Sequence, residues 1–479
     1  IVSLTYYSPV IIDLDDIQWF DKETFDLLDV LCRNIESRPI AILSTSRLND
    51  DGKEVHYDFD GILVKRLNLE KLNYDDTKQF FFNKLFGRNK EETIEIPENT
   101  YNQIYKLTEG NPFYIEQFSL YLMEKKLIDE KHRINLKENE IPRSISSIII
   151  ARIDRLSPEM KSIVVAASVL GREFNSKLLF EMLKDTEINE FLLKGVNEEL
   201  WEKITEIQFI FKHTLLREVI YNMQLKVNLK TLHRLAAETI EKIYRENIEE
   251  HYSDLIEHYS NADIKEKMIV YLKNAAVNFM ENFKNSESEK FFERFFDLYD
   301  NKTEELYLLK FDYAKLLKRI GKWEDSKNVL ETALEDLELN KYSVIKVKIM
   351  NLLARILISR SLFENAEFLI NKAISISEQE KNNESIVLSK LTFSLYLLQS
   401  NNFQEAKVAL EEIIDFSEKN NLTESLGNSY IDYGVSLYYL GEYGLAMEAY
   451  NKGADLGEKI GDKNLIERAQ CNTGIILKE

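Results

Sequence analysis

The C-terminal half of this 479-residue chain repeats one pattern every 40 residues, and this repeat constrains the fold more than any other feature. The clearest copies are GKWEDSKNVLETAL from Gly321, SLFENAEFLINKAI from Ser361, NNFQEAKVALEEII from Asn401 and GEYGLAMEAYNKGA from Gly441. The third position is always aromatic, the sixth is small and the tenth is large and apolar. These positions are Trp323, Phe363, Phe403 and Tyr443; Ser326, Ala366, Ala406 and Ala446; and Leu330, Ile370, Leu410 and Tyr450. A fixed period of this length indicates stacked structural units.

The pattern has a physical reason. An aromatic side chain at the turn fills the gap between two antiparallel helices, and a small residue lets their backbones approach closely. The residues resemble the tetratricopeptide repeat, whose usual period is about 34, so longer helices are expected here. A weaker copy is predicted around NSESEKFFERFFDLY from Asn285. We therefore predict a helical solenoid that presents a surface to a protein or peptide partner.

The first 70 residues alternate between strand and helix patterns. PVIIDLD from Pro9 reads as a strand, Asp21 as the N-cap of a helix, and RPIAILSTSR from Arg38 as a second strand. Strand, helix and strand over this length predict a βαβ unit and a parallel sheet buried on both faces. GILVKRLNL from Gly61 is predicted to be a further strand.

From Tyr74 onward the patterns are helical, in keeping with only 6 Pro and 15 Gly in the chain. NPFYIEQFSLYLMEKKLI is amphipathic and opens with Pro112 in a favourable first-turn position. Two more helices are predicted with a break at Ser157–Pro158, and the region from Glu198 to Leu229 predicts a short strand pair followed by a helix.

An apolar strand that ends in two acids has a specific chemical interpretation. It is the arrangement of the Walker B strand in nucleoside triphosphatases, where Asp15 would hold Mg²⁺ and Asp16 would polarise the attacking water. The alternative is a strand end followed by an Asp-rich helix cap. Arg47, at the end of the next strand, is placed to sense a terminal phosphate or is an ordinary surface arginine.

Net charge and hydropathy narrow the functional classes. A net charge of −20 argues against binding to a phosphate backbone, since nucleic-acid binders usually carry a basic stripe. No apolar run approaches the roughly 20 residues that a membrane span needs. We therefore expect a cytoplasmic protein without membrane or direct nucleic-acid contacts. The chain begins with Ile1, almost inside a strand, and is expected to be a piece of a longer protein.

Five blocks in a fixed order carry a family resemblance. They are PVIIDLDDIQWFD, STSR, EGNPFYIEQFSLYL, IPRSISSIIIARIDRLSPEMKSIVVAASVLGREF and FIFKHTLLREVIY. Together they resemble the predicted signalling ATPases of the STAND class, which are AAA-related and occur joined to class III adenylyl cyclases, protein kinases or transcription factors. The resemblance covers roughly residues 8–240, and the repeats fit the same architecture.

The resemblance implies a mainly α chain of four parts. Residues 1–70 would be the C-terminal part of an α/β P-loop NTPase domain, and residues 71–140 a helical lid. Residues 141–229 would form a winged-helix-like domain, and residues 230–479 the α-solenoid of tetratricopeptide-like repeats with a period of 40.

The same resemblance assigns roles to individual residues. Asp15 and Asp16 fall on the Walker B acids, and Arg47 falls on the sensor arginine. Pro112 falls on the Gly-x-Pro element that lines the adenine pocket, and His213 falls where related switches place a histidine near the ADP phosphates. ATP or ADP and Mg²⁺ are the implied cofactors. The alternative for GNP is a turn and helix start, and for His213 a satisfied core histidine.

Two departures from the pattern stand out. Asp13 occupies a position where an apolar strand residue is expected. The sequence also contains no Gly-x-x-x-x-Gly-Lys-Ser/Thr phosphate loop, so we expect this chain alone to bind ATP weakly or not at all. The remaining histidines, His233 and His258 among them, show no metal-ligand spacing.

The leading hypothesis is a fragment of an ATP-dependent signal-transduction switch whose effector domain lies outside this chain. One alternative is a non-enzymatic tetratricopeptide scaffold with a degenerate ATPase fold. Another is part of a maltose-activator-type transcription regulator. The winged-helix region shows no basic recognition helix, which favours a structural role over DNA binding.

Overall fold

The structure is a computed structural model that describes residues 4–5, 8–33, 38–46, 63–87, 96–127, 144–184, 188–337 and 342–478. The described residues are mainly helical, with two small sheets. The chain forms two compact units, residues 1–148 and 149–479.

The N-terminal βαβ unit is confirmed. Strand β1 (Val10–Leu14) pairs in parallel with β2 (Ile40–Ser44), and Val10 lies opposite Ile40. Helix α1 (Lys22–Arg33) lies between the two strands in the chain. The Thr24 backbone N–H donates to Asp21 Oδ1 at 2.7 Å, so Asp21 caps α1 as its sequence position predicts.

One face of this sheet is open, and the prediction of burial on both faces is wrong. Ile11 is 75% exposed and Leu43 is 60% exposed. Because side chains alternate along a strand, Ile12 and Leu14 turn to the other face, where they are half-buried. Asp13 shares the open face, where water can solvate its carboxylate. This explains how an acid is tolerated within an apolar strand.

The further strand predicted from Gly61 is also wrong over its described part. Residues 63–73 have no regular structure, and Leu63 and Leu69 are almost fully exposed. No strand pairs with this segment among the described residues. The Leu72 backbone N–H donates instead to the Gly110 carbonyl oxygen at 2.8 Å.

Three helices follow that segment: α2 (Tyr74–Phe86), α3 (Glu98–Thr108) and α4 (Pro112–Glu124). Their shared core contains Phe81, Ile104 and Phe118, each at most 1% exposed. Asn111 caps α4 through a 3.0 Å hydrogen bond from the Phe113 backbone N–H. Pro112 occupies the first turn, as predicted.

The next region combines helices with an antiparallel sheet. It comprises α5 (Ile145–Ile153), α6 (Pro158–Leu170), β3 (Glu173–Asn175), α7 (Ser176–Leu183), α8 (Ile188–Asn197), β4 (Trp201–Lys203), β5 (Gln208–Phe211) and α9 (Thr214–Asn222). The strand order is β3-β5-β4. The helix break at Ser157–Pro158 and the strand pair followed by a helix are both confirmed.

From Lys226 the chain is helical throughout its described residues. The helices are α10 (Lys226–Ile243), α11 (Tyr252–Asn261), α12 (Lys265–Glu281), α13 (Asn285–Leu298), α14 (Glu304–Arg319), α15 (Trp323–Leu337), α16 (Ser343–Ser359), α17 (Phe363–Gln379), α18 (Asn383–Gln399), α19 (Phe403–Lys419), α20 (Thr423–Tyr439), α21 (Tyr443–Ile460) and α22 (Lys463–Lys478). From α15 onward, helix starts recur every 40 residues in two interleaved series, which confirms the helical solenoid.

The repeat positions have the predicted roles. The aromatic residue begins each of α15, α17, α19 and α21, and the small residue four helix positions into each copy is fully buried. The Ser326 hydroxyl donates to the Ala314 carbonyl oxygen at 2.7 Å. The Ser288 hydroxyl makes the same contact with Ala276, also at 2.7 Å, which confirms the weaker copy in α12 and α13.

The repeat helices form two rows. Helices α14, α16, α18, α20 and α22 contact one another in succession as well as their hairpin partners. We call these five helices the inner row, and α15, α17, α19 and α21 the outer row. Because the inner helices are more closely packed than the outer ones, the inner row lines the concave side of the stack.

Among the described residues, no helix is both long and apolar enough to cross a membrane.

Candidate functional site

The acid pair lies at the carboxyl end of β1, beside the residue that follows β2. The Thr45 hydroxyl donates a hydrogen bond to Asp15 Oδ1. The Asp16 backbone N–H donates to the same hydroxyl at 3.0 Å. The Thr45 backbone completes the junction, with its N–H on the Leu14 carbonyl and its carbonyl accepting from the Ile17 N–H, both at 2.9 Å. Thr45 therefore ties both acids to the neighbouring strand.

The backbone at Asp16 turns sharply. Its φ of 54° and ψ of 48° lie in the left-handed region, which Asp adopts more readily than most residues. A short 3₁₀ helix over Ile17–Trp19 follows, and Gln18 Nε2 donates to Asp16 Oδ1 at 3.1 Å. The turn ends the strand at this point, so two consecutive carboxylates stand at the sheet edge, with Asp15 exposed and Asp16 half-buried.

The oxygen atoms at this edge fit the proposed cofactor. Mg²⁺ prefers oxygen ligands and is usually held by one or two carboxylates, together with water and substrate phosphates. Asp15 and Asp16 supply such carboxylates at the carboxyl edge of a parallel sheet, where ligands bind in folds of this type. The described residues contain no cluster of three or more His, Cys, Asp or Glu side chains, so the protein would contribute only part of a coordination shell.

Thr45 was missed by sequence reasoning, which concentrated on Arg47 in the same STSR block. The role of Thr45 depends on strand register, which places the ends of β1 and β2 side by side. The available signal was the equal position of Asp15 and Thr45, each one residue beyond its strand. Arg47 lies outside the described residues.

The GNP segment has a clear local explanation. Gly110 has a φ of +73°, and a Cβ atom at this position would lie 2.0 Å from the Leu72 carbonyl oxygen. Asn111 then caps α4, and the exposed Pro112 starts it. These contacts account for a turn and helix start, while the adenine-pocket role of Pro112 stays a prediction.

His213 is placed at the N-cap of α9 and is half-buried. Its backbone carbonyl accepts from the Leu216 N–H at 3.1 Å. His213 belongs to the unit of residues 149–479, whereas the acid pair and Pro112 belong to residues 1–148. Its proposed position near ADP phosphates stays a prediction.

A second polar cluster was not predicted. His233 on α10 and His258 on α11 are 2% and 6% exposed, and their Nδ1 atoms lie 2.8 Å apart. The Tyr221 hydroxyl is 2.9 Å from His233 Nε2. Burial, followed by the charges of His258 and Arg217, lowers the pKa of His233 to about 4. The pair joins the start of the solenoid through neutral imidazoles.

Comparison with known proteins supports the fold. No protein-family model matches the sequence. An uncharacterized protein of Rhizobium meliloti (strain 1021) is 25% identical over 238 residues, which are 47% of this chain and 22% of that protein. The chain therefore spans about a fifth of the length of this relative.

Among solved structures, similarity extends over almost the entire chain in one case. A Signal Transduction ATPase with Numerous Domains (STAND) protein with a tetratricopeptide repeat sensor, from Pyrococcus horikoshii, matches with a TM-score of 0.54 and 16% identity. The match covers 98% of this chain and 65% of that one. At this identity the likeness establishes a shared fold and nothing further.

Aspartyl phosphate phosphatase F of Bacillus subtilis is also similar, at 16% identity, over 66% of this chain and 80% of that one. Its TM-score of 0.41 is too low to support an argument.

Proposed function

We propose that this chain is the Walker B, lid and sensor portion of an ATP-dependent signalling switch. The observation that carries the proposal is the Asp15–Asp16 pair, tied by Thr45 to the carboxyl edge of a parallel sheet. The shared fold with a STAND protein that has a repeat sensor supports the same assignment for the rest of the chain.

In this proposal each residue at the sheet edge has a distinct task. Bound Mg²⁺ would neutralise phosphate charge on the nucleotide. Asp15 holds the metal, directly or through water, and the Thr45 hydroxyl fixes the orientation of its carboxylate. Asp16 orients and polarises the attacking water, and the hydrogen bond from Gln18 restrains it. Arg47, Pro112 and His213 contact the nucleotide from other parts of the protein.

The domain assignment is part of the proposal. Helices α2–α4 support a helical lid at residues 71–140, next to an ATPase segment at 1–70. Helices α5–α9 with the β4–β5 hairpin support a winged-helix-like domain at residues 141–229. The helices from α10 onward support a repeat sensor at residues 230–479, which binds a protein or peptide and biases nucleotide exchange to control an effector outside this chain.

The Asp16→Asn substitution in the complete protein tests the catalytic assignment. We expect hydrolysis to fall at least ~100-fold, because the amide cannot polarise water as a carboxylate does. Nucleotide affinity should change less than about threefold, since Asp15 and the phosphate contacts remain. Phosphate release and titration calorimetry measure the two quantities.

Asp13→Asn is the matched control, because Asp13 is an exposed acid on the same strand. Hydrolysis should be unaffected by that change. Unchanged turnover in Asp16→Asn would remove Asp16 from the mechanism. A complete protein that binds no nucleotide would instead favour the tetratricopeptide scaffold.

A further inference from the structure

The two helical rows of the solenoid carry opposite charge. The formal charges of the inner helices α14, α16, α18, α20 and α22 are +1, +3, 0, −2 and +2, a net +4. Those of the outer helices α15, α17, α19 and α21 are −4, −2, −3 and −1, a net −10. The concave side of a strongly acidic chain is therefore basic.

Two cations at the centre of the inner row lack a carboxylate partner. Lys318 on α14 and Arg355 on α16 are both half-buried, and within the part of the chain that the structure describes neither forms an ion pair. Arg355 Nε makes only a long contact of 3.4 Å with Thr392 Oγ1. Lys318 Nζ lies 5.8 Å from the centre of the Trp323 ring.

The electrostatics of this pair indicate an unmet demand for negative charge. Burial, followed by the charge of Arg355, lowers the pKa of Lys318. Burial also lowers the pKa of Arg355, while Asp432 opposes that shift and Arg468 adds to it. Partly desolvated cations that repel one another are stabilised when an anion comes between them.

The one acid in this cluster is already engaged. Asp432 on α20 forms a 3.0 Å ion pair with Arg468 on α22, and Arg468 also donates to Asn428 Oδ1 at 2.6 Å. Three cations therefore face a single carboxylate, which leaves a charge of about +2 along four of the inner helices.

We propose that the inner row binds an acidic peptide segment of a protein partner, with Lys318 and Arg355 contacting a pair of its carboxylates. The inference rests on the proposed function only in taking the repeats as the partner-binding part of the chain.

The dimensions of the inner row favour an extended peptide over a small anion. Five helices packed at spacings of about 8–10 Å span roughly 35 Å. An extended chain rises about 3.3 Å per residue, so roughly ten residues cross the row. The excess charge matches two carboxylates, and the acidic outer row lies on the far side of the helical layer, where salt screens it over about 10 Å.

The direct test measures binding of a fluorescein-labelled 12-residue peptide with a central Leu-Glu-Glu-Leu sequence to the 479-residue chain. Fluorescence anisotropy at about 50 mM salt gives the Kd. We expect the double variant Lys318→Gln/Arg355→Gln to bind at least ~10-fold more weakly, because it removes both unpaired cations.

The matched control is Lys327→Gln/Lys419→Gln, which removes the same charge from the outer row, where both lysines already pair with acids. Its Kd should change less than about twofold, since exposed paired lysines contribute little. Arg355→Lys should retain binding within about threefold, and circular dichroism establishes that each variant is folded. A peptide with Gln-Gln in place of Glu-Glu should bind at least ~10-fold more weakly to the unaltered chain.

Equal binding of the Glu and Gln peptides, or equal losses in the inner and outer variants, would overturn the proposal. Preference for a phosphoserine peptide or a DNA oligonucleotide of the same charge would also overturn it in favour of that partner. Neither result touches the nucleotide site, which the Asp16→Asn assay tests separately.

Discussion

At the scale of single residues, Gly110 shows how a backbone contact restricts a position. Its φ is positive, and the Leu72 carbonyl oxygen occupies the space that a Cβ atom would need. The Leu72 N–H also donates to the Gly110 carbonyl, so the two residues clamp the segment before α2 against the turn before α4. Any side chain at residue 110 must displace this clamp.

We therefore expect Gly110→Ala to lower the free energy of unfolding of the α2–α4 bundle by about 2–3 kcal/mol. Gly87→Ala is the control, because Gly87 also has a positive φ, of +82°, but has open space around it. It should cost only about 1 kcal/mol from backbone strain. Hydrogen exchange of α2–α4 amides measures both, and equal losses would show that the Leu72 contact is unimportant.

The buried histidine pair makes stability depend on pH. The folded state holds the pKa of His233 at about 4, below the ordinary value of 6.5. Because the folded pKa is the lower one, this contribution to stability is present above about pH 6.5 and is lost as the pH falls toward 4. Protonating both rings would place two N–H groups face to face.

Between pH 7 and pH 4.5, we expect the pair to account for a loss of about 2 kcal/mol in the free energy of unfolding. The His233→Gln variant removes the titrating ring and should show a correspondingly shallower pH dependence. Urea unfolding at a series of pH values measures the difference. Identical slopes for the two proteins would show that the pair does not titrate in this range.

Sequence reasoning reached some of the site residues and missed others for a definite reason. Asp15 and Asp16 are adjacent in the chain and follow an apolar run, so their place at a strand end was predictable. Thr45 is 29 and 30 residues away, and only the strand register brings it to both acids. His233 and His258 are 25 residues apart and meet only when α10 packs on α11.

At the scale of elements, the repeat helices follow directly from their pattern. The small residue of each copy, such as Ala406, is fully buried where the outer helix meets its neighbours. A larger side chain there has no space and must push the helices apart. The period of 40 was therefore sufficient to predict both the helices and the residues at their contacts.

Ala406→Leu should lower the free energy of unfolding by about 1–3 kcal/mol, because it overpacks a close helix contact. Val408→Leu is the control on the same helix, since Val408 is 49% exposed, and it should change stability by less than about 0.5 kcal/mol. Thermal unfolding followed by circular dichroism compares them. A neutral Ala406→Leu would mean that the helices separate without cost.

The strand predictions were less successful. The pattern of β1, α1 and β2 was sufficient, because a crossover helix between two apolar strands has few alternatives. The segment from Gly61 was apolar enough for a strand, but its described part pairs with none. A strand needs a neighbour to satisfy its backbone, and no local pattern reveals whether one is present.

At the scale of the whole molecule, the distribution of charge is more informative than its total. A net charge of −20 argues against nucleic acid as a partner in general terms. Sorting the same residues by helical row shows a basic concave side and an acidic outer side. The total therefore conceals the surface on which the proposed acidic peptide would bind.

By itself, the sequence determined the helical repeat, the βαβ order and the acid pair at a strand end. These follow from local periodicity and from residues adjacent in the chain. The tertiary structure alone decided the open face of the first sheet, the link from Thr45 to the acids, the histidine pair and the two unpaired cations of the inner row. Each of these depends on which distant segments become neighbours, and that is settled by packing and register rather than by any local pattern.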